Sequence, residues 1–480
     1  MKALIMGLGL HGGGLESARF LLNRGAEITV TDLRDEKTLA PSIEHLDKIT
    51  AESGCKPVRY ILGKHETNDF KNADIVIKNP GVRHDSPFLK VSKRIETDLS
   101  LFLSESPARL FAVTGTKGKS GTASALHWIL KTDRKAGKAF LGGNITVSPL
   151  TFLNELTASD DVVLELSSFQ LGDIKNHKNT EGQLLLKPSA AILTSIMHDH
   201  LDRYASMEEY IDDKRNIYRG QDDSCITVAG DDSWGKSFHA ESRGRPLIWS
   251  DKQESLCPLL SGQSGGWITP SGLGFARLNN WEGVPEEITE LVPEKVLTPG
   301  KHQKLNMLCA ALTTFGLGIN AQTIRGALAS FPGIEHRLEF FHEAKGIRFY
   351  NDSAATIPEA AAACIEALTM QLSLQNGLIL VTGGTDKNLN FLPLVNAAKK
   401  VKTLILLAGT GSEKLSQLLD EKGIPYHGPF DNLNEAVRLA VNKAVSGDNI
   451  TLSPGCASFG MFLNEFDRGL KWKEAVKKLV

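Results

Sequence analysis

The stretch Phe111–Leu130, FAVTGTKGKSGTASALHWIL, runs from an apolar strand-like segment through a glycine turn into a helical pattern. That order suits a loop cradling phosphate, because the free backbone N–H groups at a helix start face the anion. Gly115 and Gly118 permit the turn, Lys119 brings a point charge, and Ser120 offers a hydroxyl suited to Mg²⁺. The spacing is short. The common form G-x-x-x-x-G-K-[ST] needs glycine at 113, where Val113 stands, and Gly115 comes two residues late. A plain glycine turn capped by Ser120 is the structural alternative.

A second glycine loop lies far upstream. Gly7-x-Gly9-x-x-Gly12 follows the apolar run KALIM and precedes a helical pattern over about 15–24, and Asp32 ends the next apolar run. In a dinucleotide fold the acid holds a ribose hydroxyl and the pyrophosphate sits on the helix N-terminus. The fingerprint fits NAD(P), another nucleotide, or none.

Outward from these loops, apolar runs alternate with helical patterns, the mark of parallel α/β units. The first unit covers AEITVTD and ADIVIKNPG. The second adds DVVLELSSFQL, SAAILTSI, a helix over about 207–218 and SCITVAGDD. Residues 231–298 are richer in Gly, Ser, Trp and Pro, with short strands such as RPLIWS, and look like a less regular excursion. A third unit holds IRFYNDS, an alanine-rich helix from about Pro358, LILVTGG, TLILLAG and DNITLSPG. The expected architecture is three α/β domains: a Rossmann-like domain over 1–97, a central P-loop ATPase-type domain over 98–332, and a C-terminal Rossmann-like domain over 333–480. The second hinge falls near Pro332–Gly333.

At 480 residues several cores are required. Lys+Arg 54 against Asp+Glu 56 leaves a net charge of −2, so polyanions are not expected as general partners. No apolar run reaches the roughly 18 residues of a membrane span. MKALIMGLGL ends too early, at His11, for a signal peptide and suits a strand better. Six cysteines, at 55, 225, 257, 309, 364 and 456, form no C-x-x-C pair. That usage fits reduced thiols of a cytoplasmic protein.

Several polar residues sit where strands should end. Glu165 closes a buried-looking strand, where an acid is costly unless paired or on a metal. MHDHLDRY carries His198, Asp199, His200 and Asp202. Parallel strands bring their C-terminal ends together, so this cluster could reach a Mg²⁺ held at Ser120 and Glu165, although a polar loop is the simpler reading. Lys214 on its helix reads as a solvated lysine. Gln303 and Asn306 open a helix as possible caps, and Arg337 and Asp352 suit ordinary surface ion pairs. GGTDKNLNF and SPGCASFGMF are strand-to-helix turns able to capture anions. Cys456, with no His or acid beside it, makes a poor nucleophile.

The ordered set VTGTKGKS, LGGNI, LELSSFQL, DHLDRY, GKHQKLN, EHRLE, YNDS, GGTDK and SPGCASFGMF resembles the Mur ligases of peptidoglycan synthesis, in their D-glutamate-adding branch. The resemblance covers almost the whole chain, and the shortened loop also occurs in folylpolyglutamate synthases. It implies an ATP-dependent ligase that adds D-glutamate to UDP-N-acetylmuramoyl-L-alanine through an acyl phosphate. Gly115, Thr116, Lys117, Gly118, Lys119, Ser120 and Gly121 would bind ATP phosphates, with Gln303, Asn306, Arg337 and Asp352 on the remainder of the nucleotide. Lys119, Glu165, His200 and Lys214 would be catalytic. Two Mg²⁺ ions would sit near Ser120, Glu165, His200 and a Lys214 carbamylated by CO₂. Leu10, His11, Asp32, Leu33, Arg34, Gly81 and Asn144 would hold the UDP-sugar, and Lys387, Ser453 and Phe459 the glutamate. A monomer without nucleic-acid partners is expected. The chain departs from the family pattern at Gln303, where Asn is usual, and at Ala354, where Lys often follows NDS. It differs also in the longer NHKNTEGQ segment and in the ending RGLKWKEAV. Two rivals outside the family are a nicotinamide oxidoreductase, which leaves the second loop idle, and a silent nucleotide-binding protein.

Overall fold

The computed structural model describes residues 1–10, 12–133, 137–145, 147–200, 202–251, 262–284, 286–370, 372 and 375–480. Its contacts divide into two compact units. The first is Met1–Val292 with Asn306–Arg325, and the second is Pro293–Leu305 with Gly326–Val480.

The first unit carries two sheets. Strands β1 Lys2–Met6, β2 Glu27–Asp32, β3 Arg59–Leu62, β4 Ile75–Lys78 and β5 Ile95–Glu96 form a parallel sheet in the order β3-β2-β1-β4-β5. The chain winds one way from β1 and then returns to β4, so a crevice opens beyond the C-terminal ends of these two strands. The helix Gly13–Leu22 packs tightly there. A Cβ at Gly14 would stand 2.5 Å from the carbonyl oxygens of Gly7 and Leu8. At Gly12 it would meet nothing within 4 Å, although φ is +89°. Gly14 is therefore the close-approach glycine, and Gly12 serves the turn.

The second sheet contains β6 Arg109–Thr114, β7 Ala139–Gly143, β8 Asp161–Glu165, β9 Ala190–Leu193, β10 Ile226–Gly230, β11 Arg245–Ser250, β12 Gly265–Ile268, β13 Gly274–Arg277 and β14 Thr289–Val292. Their order is β14-β13-β12-β11-β10-β9-β6-β8-β7. The strands from β7 to β12 pair in parallel, and β13 and β14 are antiparallel additions. Phe111, Ala112 and Val113 of β6 are fully buried, as expected of a central strand covered on both faces. The segment 231–298 holds the short strand expected at RPLIWS, which is β11, but it is more regular than the excursion its composition suggests. It contributes the helix Ser233–Glu241 and four strands that extend the central sheet. Their brevity and flanking Gly and Pro hid the alternation.

The second unit holds β15 Glu339–Ala344, β16 Ile347–Asn351, β17 Leu378–Gly383, β18 Thr403–Leu407, β19 His427–Phe430 and β20 Asn449–Leu452, in the order β15-β16-β20-β17-β18-β19. Only the β15–β16 pair is antiparallel. The alanine-rich helix runs Pro358–Thr369 and buries Ala361, Ile365 and Leu368. Among the described residues no helix is long and apolar enough to cross a membrane. Cys55, Cys225, Cys309, Cys364 and Cys456 are free thiols, and Cys257 lies outside the described residues.

Candidate functional site

Strand β6 lies between β8 and β9, so the loops after these three strands meet at one switch point. The loop after β6 is fastened to the loop after β9. Thr116 N–H donates to Ser195 O at 2.8 Å, and the Thr194 hydroxyl donates to Lys117 O at 2.6 Å. Gly118, at φ +91°, is the N-cap of the helix Lys119–Thr132. Lys119 Nζ reaches back to Gly115 O at 3.1 Å and Thr116 O at 3.0 Å. Ser120 follows on the first helical turn. Lys117 is exposed and stands 3.6 Å from Asp199.

Lys214 departs most from its sequence reading. It is not solvated but 1% exposed, near the end of the helix Met207–Arg215. Its Nζ donates to the same Gly115 carbonyl at 2.9 Å and lies 4.5 Å from the centre of the Tyr210 ring. Burial, reinforced by the Lys119 charge, depresses its pKa to about 7. At neutral pH a large share of this amine is therefore uncharged and nucleophilic. A sequence cannot show this, because the Gly115 carbonyl and the Lys119 charge belong to a loop about 95–100 positions upstream. Tyr210, one helical turn before Lys214 and with its hydroxyl bonded to the Thr116 hydroxyl at 2.9 Å, is absent from the sequence-derived set.

Glu165 ends β8 and is 2% exposed. Its Oε1 accepts from Asn144 Nδ2 at 3.4 Å, and Glu165 O accepts from Asn144 N at 2.8 Å. Its Oε2 is buried without a hydrogen-bond partner. An orphaned carboxylate oxygen beside a phosphate-type loop is costly by itself and suits a divalent cation. Among the described residues no three His, Cys, Asp or Glu side chains cluster as a closed metal cage. Mg²⁺ does not demand one, since it commonly takes one or two carboxylates with phosphate oxygens and waters. His200, at φ +55°, is exposed in the loop after β9, with its ring 4.9 Å from that of Phe169. Phe169 is on the first turn of the helix that follows Glu165.

At the other switch point the loops after β1, β2 and β4 border a cleft of about 230 Å³. It gathers Gly7, Gly9, Asp32, Leu33, Arg34 and Gly81, and also His65, Asn79 and Val82, which carried no sequence signal. Asp32 is 6% exposed and accepts from Arg34 N at 3.0 Å and Gly9 N at 3.4 Å. Leu10 and Leu33 are exposed apolar side chains at the same edge. His11 lies outside the described residues.

Asn306 and Gln303 share the helix Lys301–Gly316, as the sequence predicts. The Asn306 side chain packs on the glycine loop after β6. A Cβ at Gly121 would lie 2.2 Å from its Nδ2, and one at Gly118 would lie 2.6 Å from its Oδ1. Gln303 is half-buried.

In the second unit, Asp352 follows β16 and is not in a surface ion pair. Its Oδ2 accepts the Ser453 hydroxyl at 2.6 Å, and its Oδ1 accepts Leu338 N at 2.9 Å. Burial pushes its pKa up to about 6. Both carboxylate oxygens and the fully buried Ser453 hydroxyl are thus engaged with each other and the backbone. Arg337 is exposed. Lys387 and Phe459 come together, with Nζ 5.5 Å from the ring centre. Arg468, also without a sequence signal, is buried and ties two turns, donating to Ser353 O at 2.8 Å, Ser353 Oγ at 3.0 Å and Cys456 O at 3.1 Å. Burial raises the Cys456 thiol to about 12, which removes it as a nucleophile.

Three family models match the chain in sequence. Residues 1–99 match the Mur ligase MurD-like N-terminal domain, 113–255 the Mur ligase middle domain, and 336–456 the Mur ligase glutamate ligase domain. The chain is 38% identical to a UDP-N-acetylmuramoylalanine–D-glutamate ligase of Treponema pallidum, over 98% of this chain and 97% of that one. The Borreliella burgdorferi protein of the same name is also 38% identical, over 100% and 98%. Among solved structures, UDP-N-acetylmuramate–alanine ligase of Thermotoga maritima superposes with a TM-score of 0.56 at 19% identity, covering 100% of this chain and 99% of that one. The MurF ligase of the same organism, solved with ADP, gives 0.51 at 16% identity, over 94% and 95%. These two structures bear on the fold alone. With the three models in family order and relatives matched end to end, the chain belongs to the Mur ligase family.

Proposed function

We propose that the protein is an ATP-dependent, ADP-forming ligase that joins D-glutamate to UDP-N-acetylmuramoyl-L-alanine in peptidoglycan synthesis. The end-to-end similarity to relatives bearing that activity in their names carries the reading. Three functional parts are proposed, over 1–97, 98–332 and 333–480, in a cytoplasmic monomer.

The residues fit the chemistry in sequence. The substrate carboxylate attacks the γ-phosphorus of ATP, ADP departs, and an acyl phosphate forms. The amine of glutamate then attacks the acyl carbon, and phosphate leaves. Such transfer needs in-line positioning and neutralised charge more than covalent help from protein. Lys119 and the N–H groups of 115–121 hold the phosphates, with Gln303, Asn306, Arg337 and Asp352 assigned to the rest of ATP. Ser120, Glu165, His200 and a carbamylated Lys214 would hold Mg²⁺, which when bound neutralises phosphate charge. The orphaned Glu165 oxygen and the depressed Lys214 amine support that set. A carbamate turns a repelling cation into an anionic oxygen ligand. Leu10, His11, Asp32, Leu33, Arg34, Gly81 and Asn144 are assigned to the nucleotide sugar. Lys387, Ser453 and Phe459 are assigned to glutamate, with the Ser453 hydroxyl reaching it only by releasing Asp352.

The test is ADP release and product mass with UDP-N-acetylmuramoyl-L-alanine and a panel of amino acids. D-glutamate should be used far better than L-lysine, diaminopimelate, D-alanine or L-glutamate. Equal use of another acceptor places the protein in another branch, and turnover of a folate substrate would favour a folylpolyglutamate synthase.

A further inference from the structure

Arg203 lies in the loop after β9 and reaches the turn after β4. Its guanidinium donates to three consecutive backbone carbonyls: Pro80 O at 3.0 Å, Gly81 O at 3.3 Å and Val82 O at 2.9 Å. Gly81 and Val82 are walls of the cleft that holds Asp32. The planar face of the same guanidinium lies on an aromatic ring, with its Cζ 3.8 Å from the centre of Phe169. Phe169 in turn meets the His200 ring at 4.9 Å, with the planes tilted by 59°, and stacks on Tyr204 at 5.7 Å. Arg203 N also donates to His200 O at 2.9 Å, closing the turn that holds His200 at positive φ.

One side chain therefore joins the turn after β4, the helix start after Glu165 and the loop of His200. A planar fork with several donors can satisfy three carbonyls and still lie flat on a ring, and a lysine cannot do both. Movement of the 80–82 turn on filling the cleft would pull on Arg203 and, through Phe169, on His200.

We propose that Arg203 is a positioning residue that couples occupancy of the cleft around Asp32 to the placement of His200 at the phosphate loop. The role rests on reading that cleft as the nucleotide-sugar site.

The test is calorimetric binding of the non-hydrolysable ATP analogue AMPPNP with Mg²⁺, in the presence and absence of UDP-N-acetylmuramoyl-L-alanine. The full-length wild type should bind the analogue at least about 5-fold more tightly with the nucleotide sugar present, the lower range for coupled sites. Arg203→Met and Arg203→Lys should bring that ratio close to 1 while each ligand alone binds within about 3-fold of wild type. Phe169→Leu, which keeps the carbonyl contacts, should lower the ratio only in part. A structural role alone would lower the melting temperature and leave the ratio unchanged, and that result overturns the proposal. A wild-type ratio of 1 overturns it as well. Failure of the wild type to bind the nucleotide sugar overturns the cleft reading first and the coupling with it.

Discussion

The two glycine loops of the first unit share a plan and differ in charge. Each follows an interior parallel strand at a switch point and opens a helix. The loop at Gly115–Ser120 has two lysines directed at one carbonyl, one of them buried to the point of losing its proton near neutrality. The loop at Gly7–Gly12 has a buried acid, Asp32, bonded to Gly9 N and Arg34 N. A triphosphate requires cations, while a ribose or base edge is held by an acceptor. Under the proposed assignment the same backbone solution would serve two ligands, with the side chains deciding which.

The sharpest way to break this contrast is to remove the cations. Lys214→Ala should lose most activity with the fold intact, and added formate should restore part of it by supplying a carboxylate oxygen. Full activity in this variant would remove the carbamate from the account. Lys119→Ala should lower turnover at least ~10²-fold, comparable to losing one preorganised donor to developing charge. If only the KM for ATP rose, Lys119 would be a ground-state binding group instead.

The acid in the first loop should behave differently. Asp32→Ala should raise the KM for the nucleotide sugar about 10-fold or more, the scale of one hydrogen bond to a charged group, with kcat little changed. An effect on the KM for ATP instead would reverse the assignment of the two clefts.

The pH response of the Lys214 amine sharpens the contrast further. Because its pKa is depressed to about 7, the neutral form rises with pH below 7 and levels off above it. Uptake of ¹³C-labelled CO₂ by protein stripped of carbamate should follow that curve in NMR. A midpoint near the ~10.4 of a free lysine would mean the amine is solvated after all.

The smallest effect belongs to the second unit. Asp352, raised to about 6, binds its proton more tightly folded than unfolded. Its contribution is fully present below the unfolded value near ~3.9 and is lost as pH rises through 6. Thermal melts of Asp352→Asn should therefore lack a loss of about 3 kcal/mol that wild type shows between those values. Parallel curves for both proteins would contradict the burial argument.

The glycine loops and strand-ending acids were legible because short-range chemistry defines them: Gly118 and Lys119 are neighbours, and Glu165 closes an unbroken apolar run. Taken residue by residue, Lys214 and Asp352 read as surface groups because burial is a tertiary property, and only the family resemblance assigned them to a site. A lysine beside Arg215 and Asp213 looks solvated until the loop after β6 is known to lie against it. Asn79, His65 and Tyr210 carried no signal, since each gains meaning only from a strand or loop distant in sequence. In the segment 231–298 the strand at RPLIWS is legible and the three after it are not, for a different reason. Strands of four residues among Gly and Pro leave too few alternations to read.

That the two loops hold two ligands of one coupled reaction is tested most directly by ADP formation with and without UDP-N-acetylmuramoyl-L-alanine, at saturating ATP, Mg²⁺ and D-glutamate. ADP should appear only when the nucleotide sugar is present, and in equal amount to the new amide product. Equal ADP formation in its absence would contradict the account.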